Sequence, residues 1–157
     1  MDYPDTHESP DAEFLDLVAS GRIERFGHRE HLRLAFLAAR RHESLDQAID
    51  RCRRGIRAVA TAQGAPDRYH ETITAAWATI VHARASALPH ATFDELIDRH
   101  PELTDPQLLE RYYSRERLAS DEARRRRLEP DCDVMPRAFP TDAARATHPD
   151  PRARAAG

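Results

Sequence analysis

Lysine and asparagine are missing from this sequence altogether, and all 24 basic residues are arginine. Schiff-base chemistry on a lysine is therefore excluded. A GC-rich coding sequence accounts for the arginine bias without any functional cause. Glycine is scarce, at 5 in 157 residues. There is no Gly-rich phosphate loop, no GxSxG elbow and no CxxC pair, so the common nucleotide-binding and hydrolase signatures are absent. The 2 cysteines, Cys52 and Cys132, fit neither a disulfide framework nor a zinc motif and read as reduced thiols. No apolar run reaches membrane-spanning length, and the acidic N-terminus lacks the form of a signal peptide. These absences point to a cytoplasmic protein with no membrane partner. The formal charge of −3 gives no support to nucleic-acid binding, and the run Arg124–Arg127 reads as the solvated end of a helix.

What is present favours helix. Ala, Leu, Arg and Glu dominate, and alternating β-branched runs are lacking. Ser9-Pro10 pairs an N-cap with a proline at the first helical position, opening a helix that stops at Gly21. Apolar residues at helical spacing predict further helices over about 28–42, 44–64 and 68–86. Ser44 with Gln47 and Thr92 with Glu95 form capping boxes, the second opening a short helix to about His100. Thr104 with Gln107 suggests a helix to about Tyr113, and Ser114 caps a last one to about Arg127. Prolines 130, 136, 140, 149 and 151 preclude a long helix beyond Leu128. The expectation is one all-α domain over 9–139, a bundle of five to seven helices. Residues 129–139 would form an extended, proline-containing strap, between a flexible N-terminus (1–8) and a disordered tail (140–157).

Nine histidines are many for a chain of this length. His28 and His31 share a helix face in the run His28-Arg29-Glu30-His31. His70 opens a later helix in Tyr69-His70-Glu71-Thr72. Short turns make successive helices antiparallel, so the helices that begin at His28 and near His70 should run parallel, with their N-termini at one end of the bundle. His28, His31 and His70 are thus candidate metal ligands, with Glu30 or Glu71 as fourth ligand or general base. Iron, zinc or copper would suit such a set. Glu30 stands at the wrong offset for the HExxH mechanism, and no glutamate precedes a histidine by three, which argues against a ferritin-like di-iron site. Tyr113 can present its hydroxyl to the cluster, Arg29 and Arg68 can clamp an anionic group, and Trp77 can stack on a planar ligand. Each also has a plain reading: a cap, a solvated charge or a core aromatic. The whole cluster can equally be a buried polar network that holds the bundle in register.

At Phe26-Gly27-His28-Arg29-Glu30-His31-Leu32, Tyr69-His70-Glu71-Thr72-Ile73-Thr74 and Tyr113-Ser114-Arg115-Glu116-Arg117-Leu118, followed by Glu129-Pro130-Asp131, the chain resembles an uncharacterised family of short bacterial helical proteins (motifs HREHL, YHETIT and YSRERL). The resemblance covers about Phe14 to Pro136. It implies a helical fold and no particular reaction. Cys132-Asp133-Val134-Met135-Pro136 departs from the more apolar stretch expected there.

Three functions remain in view. The first is a small metal-dependent enzyme, a tailoring or accessory enzyme of bacterial metabolism. The second is a non-catalytic binding or accessory protein using the same pocket or a helix face to hold a small-molecule ligand or a partner. The third is a metal-free acid–base enzyme using His31 or His70, since imidazole titrates near neutral pH. Oligomeric state is not readable from the sequence.

Overall fold

The computed structural model describes residues 9–138; the stretches expected to be flexible or disordered, along with Phe139, lie outside it. The fold is all-α. Five helices of seven residues or more form the body: α1 (Pro10–Ala19), α2 (His28–Arg41), α3 (Leu45–Ala62), α4 (Glu71–Ala87) and α5 (Phe93–Arg99). Two short helices follow, α6 (Arg115–Ala119) and α7 (Asp121–Arg125). No described helix is long and apolar enough to cross a membrane.

Helices α2, α3 and α4 pack on one another and form the core, with α1 laid across α3. Leu32, Leu34, Ile80, Val81 and Val18 are almost fully excluded from solvent. Two glycines make this packing possible. A Cβ on Gly55 would stand 2.9 Å from Val18 Cγ1, so the bare backbone lets α1 close onto α3. Gly21, at φ +70°, turns the chain out of α1 where a side chain would meet the Ala58 carbonyl oxygen at 2.9 Å. A left-handed backbone suits glycine because it has no Cβ to clash.

The parallel arrangement of α2 and α4 is observed. Arg40, at the C-terminal end of α2, donates to the carbonyls of Ala85 (2.8 Å), Leu88 (2.5 Å) and Ala91 (3.0 Å) at the C-terminal end of α4. One guanidinium thereby satisfies carbonyls that the helix end and the turn after it leave open. At the other end the two helices are staggered. The His28 ring lies against Trp77, centroids 4.7 Å apart, and Trp77 is seven residues beyond His70. At helical rise, that offset is about 10 Å along the α4 axis. Length contributes: α3 has 18 residues against 14 in α2, an excess of about 6 Å at helical rise, so the chain overshoots before turning back into α4.

Three expected boundaries shift. The fourth helix begins at Glu71 rather than near Arg68; Pro66–Arg68 form a 3-10 turn and His70 is the N-cap. No α-helix forms over 104–113. A 3-10 turn, Pro106–Arg111, occupies it after another at Pro101–Thr104, with Asp105 rather than Thr104 as the cap. Prolines at both starts hold the preceding residue out of the α region. The expected last helix breaks at Ser120, whose hydroxyl accepts from Ala123 N–H (3.1 Å) and restarts the chain as α7.

Candidate functional site

Each motif histidine is tied to backbone. His28 Nε2 donates to the Leu103 carbonyl (2.7 Å) and His31 Nδ1 to the Gly27 carbonyl (2.8 Å). His70 is engaged at both nitrogens: Nδ1 accepts from Ile73 N–H (3.1 Å), and Nε2 donates to the Leu118 carbonyl (2.7 Å). A carbonyl can only accept, so these bonds define the tautomers. Among the described residues nothing meets the second ring nitrogen of His28 or of His31, an arrangement compatible with ligation. His70 has both nitrogens engaged, and the stagger of α2 against α4 carries it away from His28. Among the described residues, no three His, Cys, Asp or Glu side chains are grouped to hold a metal ion.

Burial lowers the pKa of His70, and nearby Arg124 lowers it further, against the pull of the Leu118 carbonyl. Burial likewise lowers His31 and His82. A histidine that resists protonation when folded binds fewer protons than the unfolded chain below the ordinary value of 6.5. Stability is then complete above that pH and falls as acid is added, by up to about 1.4 kcal/mol per pH unit for each such group. Urea unfolding at pH 7.5, 6.5 and 5.5 should show the decline. His70→Asn, which keeps an N-cap but has no titrating ring, should flatten part of it; an unchanged slope would remove His70 from the account.

The carboxylates are also engaged. Glu30 Oε2 accepts from Gly27 N–H (2.8 Å), closing the α2 cap. Glu71 is buried and receives Arg53 Nε at 2.8 Å, the same guanidinium through Nη2, and the Tyr69 hydroxyl. Burial raises its carboxyl pKa, but the hydrogen bonds from Arg53 and Tyr69 outweigh that, and the net shift is downward. Arg57 lies over the Tyr69 ring at 4.6 Å. Arg29 pairs with Asp94 (2.7 Å) and lies over Phe93. Arg68 is exposed in its 3-10 turn. Trp77 is buried against His28. Cys52 is buried and its thiol is pushed up to about 12, so it supplies no thiolate.

Two of the motifs share the segment after α7. Thr72 Oγ1 donates to the Arg126 carbonyl (2.8 Å) and accepts from Leu128 N–H (3.1 Å). The Tyr113 hydroxyl donates to the Leu128 carbonyl (3.0 Å) rather than to a histidine. Asp131 receives Ser114 N–H (2.8 Å) and the Ser114 hydroxyl (2.6 Å), which hold its carboxyl below the usual range. Arg117 Nε donates to the Glu129 carbonyl (2.7 Å), and Cys132 N–H to the Tyr112 carbonyl (2.9 Å). The break at Ser120 matters here, because Leu118, just before it, supplies the carbonyl that His70 meets. YHETIT, YSRERL and the following Glu-Pro-Asp thus build one polar lock that straps 126–132 across the start of α4.

That strap roofs a cavity of about 690 Å³ against the middle of α4. Leu45, Ala76 and Met135 supply apolar wall, while Thr79, His82 and the exposed Arg127 and Arg137 supply polar groups. The Thr79 hydroxyl is used on the Ala75 carbonyl (2.7 Å). His82 has no hydrogen-bond partner among the described residues, unlike the motif histidines. The roles of Thr72, Arg53 and His82 were not legible from spacing. Thr72 stands inside a motif, but only the fold supplies the partner 54 residues away. Compared with family models, with curated proteins and with solved structures, the chain matches none.

Proposed function

We propose that this chain is a non-catalytic binding protein whose ligand seat is the cavity between α4 and the 127–138 strap. One observation carries the reading: Thr72, Tyr113, Ser114 and Arg117, from two of the motifs, tie down the strap, and the strap forms a wall of a cavity of a size that suits a small organic ligand. The ligand class follows from the walls. An apolar body would rest on Leu45, Ala76 and Met135, and a hydrogen-bonding group would meet His82, which burial keeps neutral at pH 7 and able both to donate and to accept. Cytoplasmic residence, and membership of the bacterial family that the motifs resemble, belong to the same proposal.

A fragment screen by NMR on the full chain tests it. Binders should perturb His82, Thr79 and Met135, and His82→Ala should weaken them about tenfold, the worth of a well-made hydrogen bond in a dry site. Perturbations centred on His28 and His31 would sink the proposal. So would stoichiometric metal in protein purified without added metal, lost in a His31→Ala variant, which would favour the metal-dependent enzyme instead.

A further inference from the structure

A second cavity, about 430 Å³, lies on the far side of α7, between α3, the 3-10 turn and α7 itself. Arg57 and Thr61 line it from α3, Asp67 and Tyr69 from the turn, and Asp121, Arg124 and Arg125 from α7. Several arginines on other parts of the surface face carboxylates: Arg29 with Asp94, Arg33 with Asp11, Arg54 with Asp50, Arg115 with Glu110. Here they do not. Among the described residues Arg57, Arg124 and Arg125 have no carboxylate in ion-pair range.

Two of the three are nevertheless held in place. Arg57 lies over the face of Tyr69 (4.6 Å to the ring centroid), and Arg124 Nη1 donates to the Asp67 carbonyl (3.3 Å). Both partners are neutral. They position the guanidiniums without cancelling their charge, and they leave most of the donors of each fork unused. Tyr69 is itself anchored, its hydroxyl donating to the buried Glu71. Asp67 and Asp121 also line the cavity, so its net excess is one positive charge, and an anion must sit on the arginine side.

We propose that this cavity is a binding site for a phosphate monoester, with Arg57, Arg124 and Arg125 as its anion-holding residues. Guanidinium forks match the geometry of phosphate oxygens and form charge-assisted bonds to them. Because the arginines come from α3 and α7, the bound anion would clamp those two elements together. The site is separate from the strap cavity and stands or falls independently of it.

The test is calorimetric titration of the full chain with inorganic phosphate and with phenyl phosphate, at an ionic strength held constant with sodium chloride. Saturable binding is expected, tighter for the ester because the cavity exceeds the volume of the bare ion. Arg57→Gln and Arg124→Gln should each weaken it about tenfold, the loss of a charge-assisted hydrogen bond. Arg115→Gln, on a different surface, should leave it unchanged. Arg125 makes no described contact, so Arg125→Gln keeps the test valid should Arg57→Gln disturb the fold; it too should weaken binding. Absence of saturation, or equal binding by the Arg124→Gln/Arg125→Gln double variant, overturns the proposal. So does binding confined to RNA or other polyanions and abolished by moderate salt.

Discussion

Replacing Arg53 with alanine should cost more stability than removing its partner. Glu71 is buried, with a side chain 8% exposed, whereas the Arg53 side chain is 31% exposed and also touches Asp50. Arg53→Ala leaves a buried carboxylate held only by the Tyr69 hydroxyl, for which about 3–4 kcal/mol is expected, the lower part of the range for broken buried pairs. Glu71→Ala leaves a guanidinium that can turn toward solvent, and about 2 kcal/mol is expected after that discount. The double variant should be less destabilised than the sum, because the stranded charge is gone.

The pH dependence separates this account from simple loss of packing. In the native protein the Glu71 carboxyl lies below its ordinary value, so its contribution is present at neutral pH and is lost as pH falls through the folded value. With Arg53 removed, the largest of the lowering influences is lost while burial remains, so the folded value moves up. Protonation then costs the variant less than the native protein, and the penalty of Arg53→Ala should shrink as pH drops from 7 to 5. Urea unfolding at the two pH values measures it; a penalty independent of pH would contradict the buried-charge account.

Thr72→Val should act differently. The substitution keeps the shape but removes the hydroxyl that meets both Arg126 and Leu128. If the strap stayed down, an unsatisfied N–H and C=O would add about 2–3 kcal/mol. Lifting the strap lets water satisfy both groups and limits the cost, so local opening is the cheaper response. Amide exchange across 126–132 should therefore accelerate strongly while α2, α3 and α4 stay protected. Any ligand of the strap cavity should weaken in proportion to the fraction of molecules with the strap undocked. Uniform acceleration over the whole chain would mean that the lock belongs to the global fold and not to the cavity roof.

The helical reading came from features that act over a few residues. Ser9, Ser44, Thr92 and Ser114 are N-caps at the positions their side chains and successors indicate. Apolar spacing placed Leu32, Ile49, Trp77 and Ile80 in the core, where they are. The chain departs from these local patterns where two signals compete. Ser120 breaks the last helix because its hydroxyl caps a new one, and the prolines at 101 and 106 turn an expected helix into 3-10 turns.

The histidine motifs show the boundary between local and long-range information. Composition, helix order and the parallel run of α2 and α4 are set by the sequence alone, because capping, periodicity and short turns are decided within one or two helical turns. Axial offset is not. It depends on the accumulated lengths of α3 and its turn, and His28 meets Trp77, seven residues beyond His70, while both histidines stay at the expected ends of their helices. The partners of His70, Thr72 and Tyr113 lie 48, 56 and 15 residues away. No local pattern encodes a bond across such a separation, because the energy that selects it comes from satisfying buried polar groups once the helices have packed. Tertiary structure therefore decided that two of the motifs tie down the strap, and that a cavity opens between it and His82.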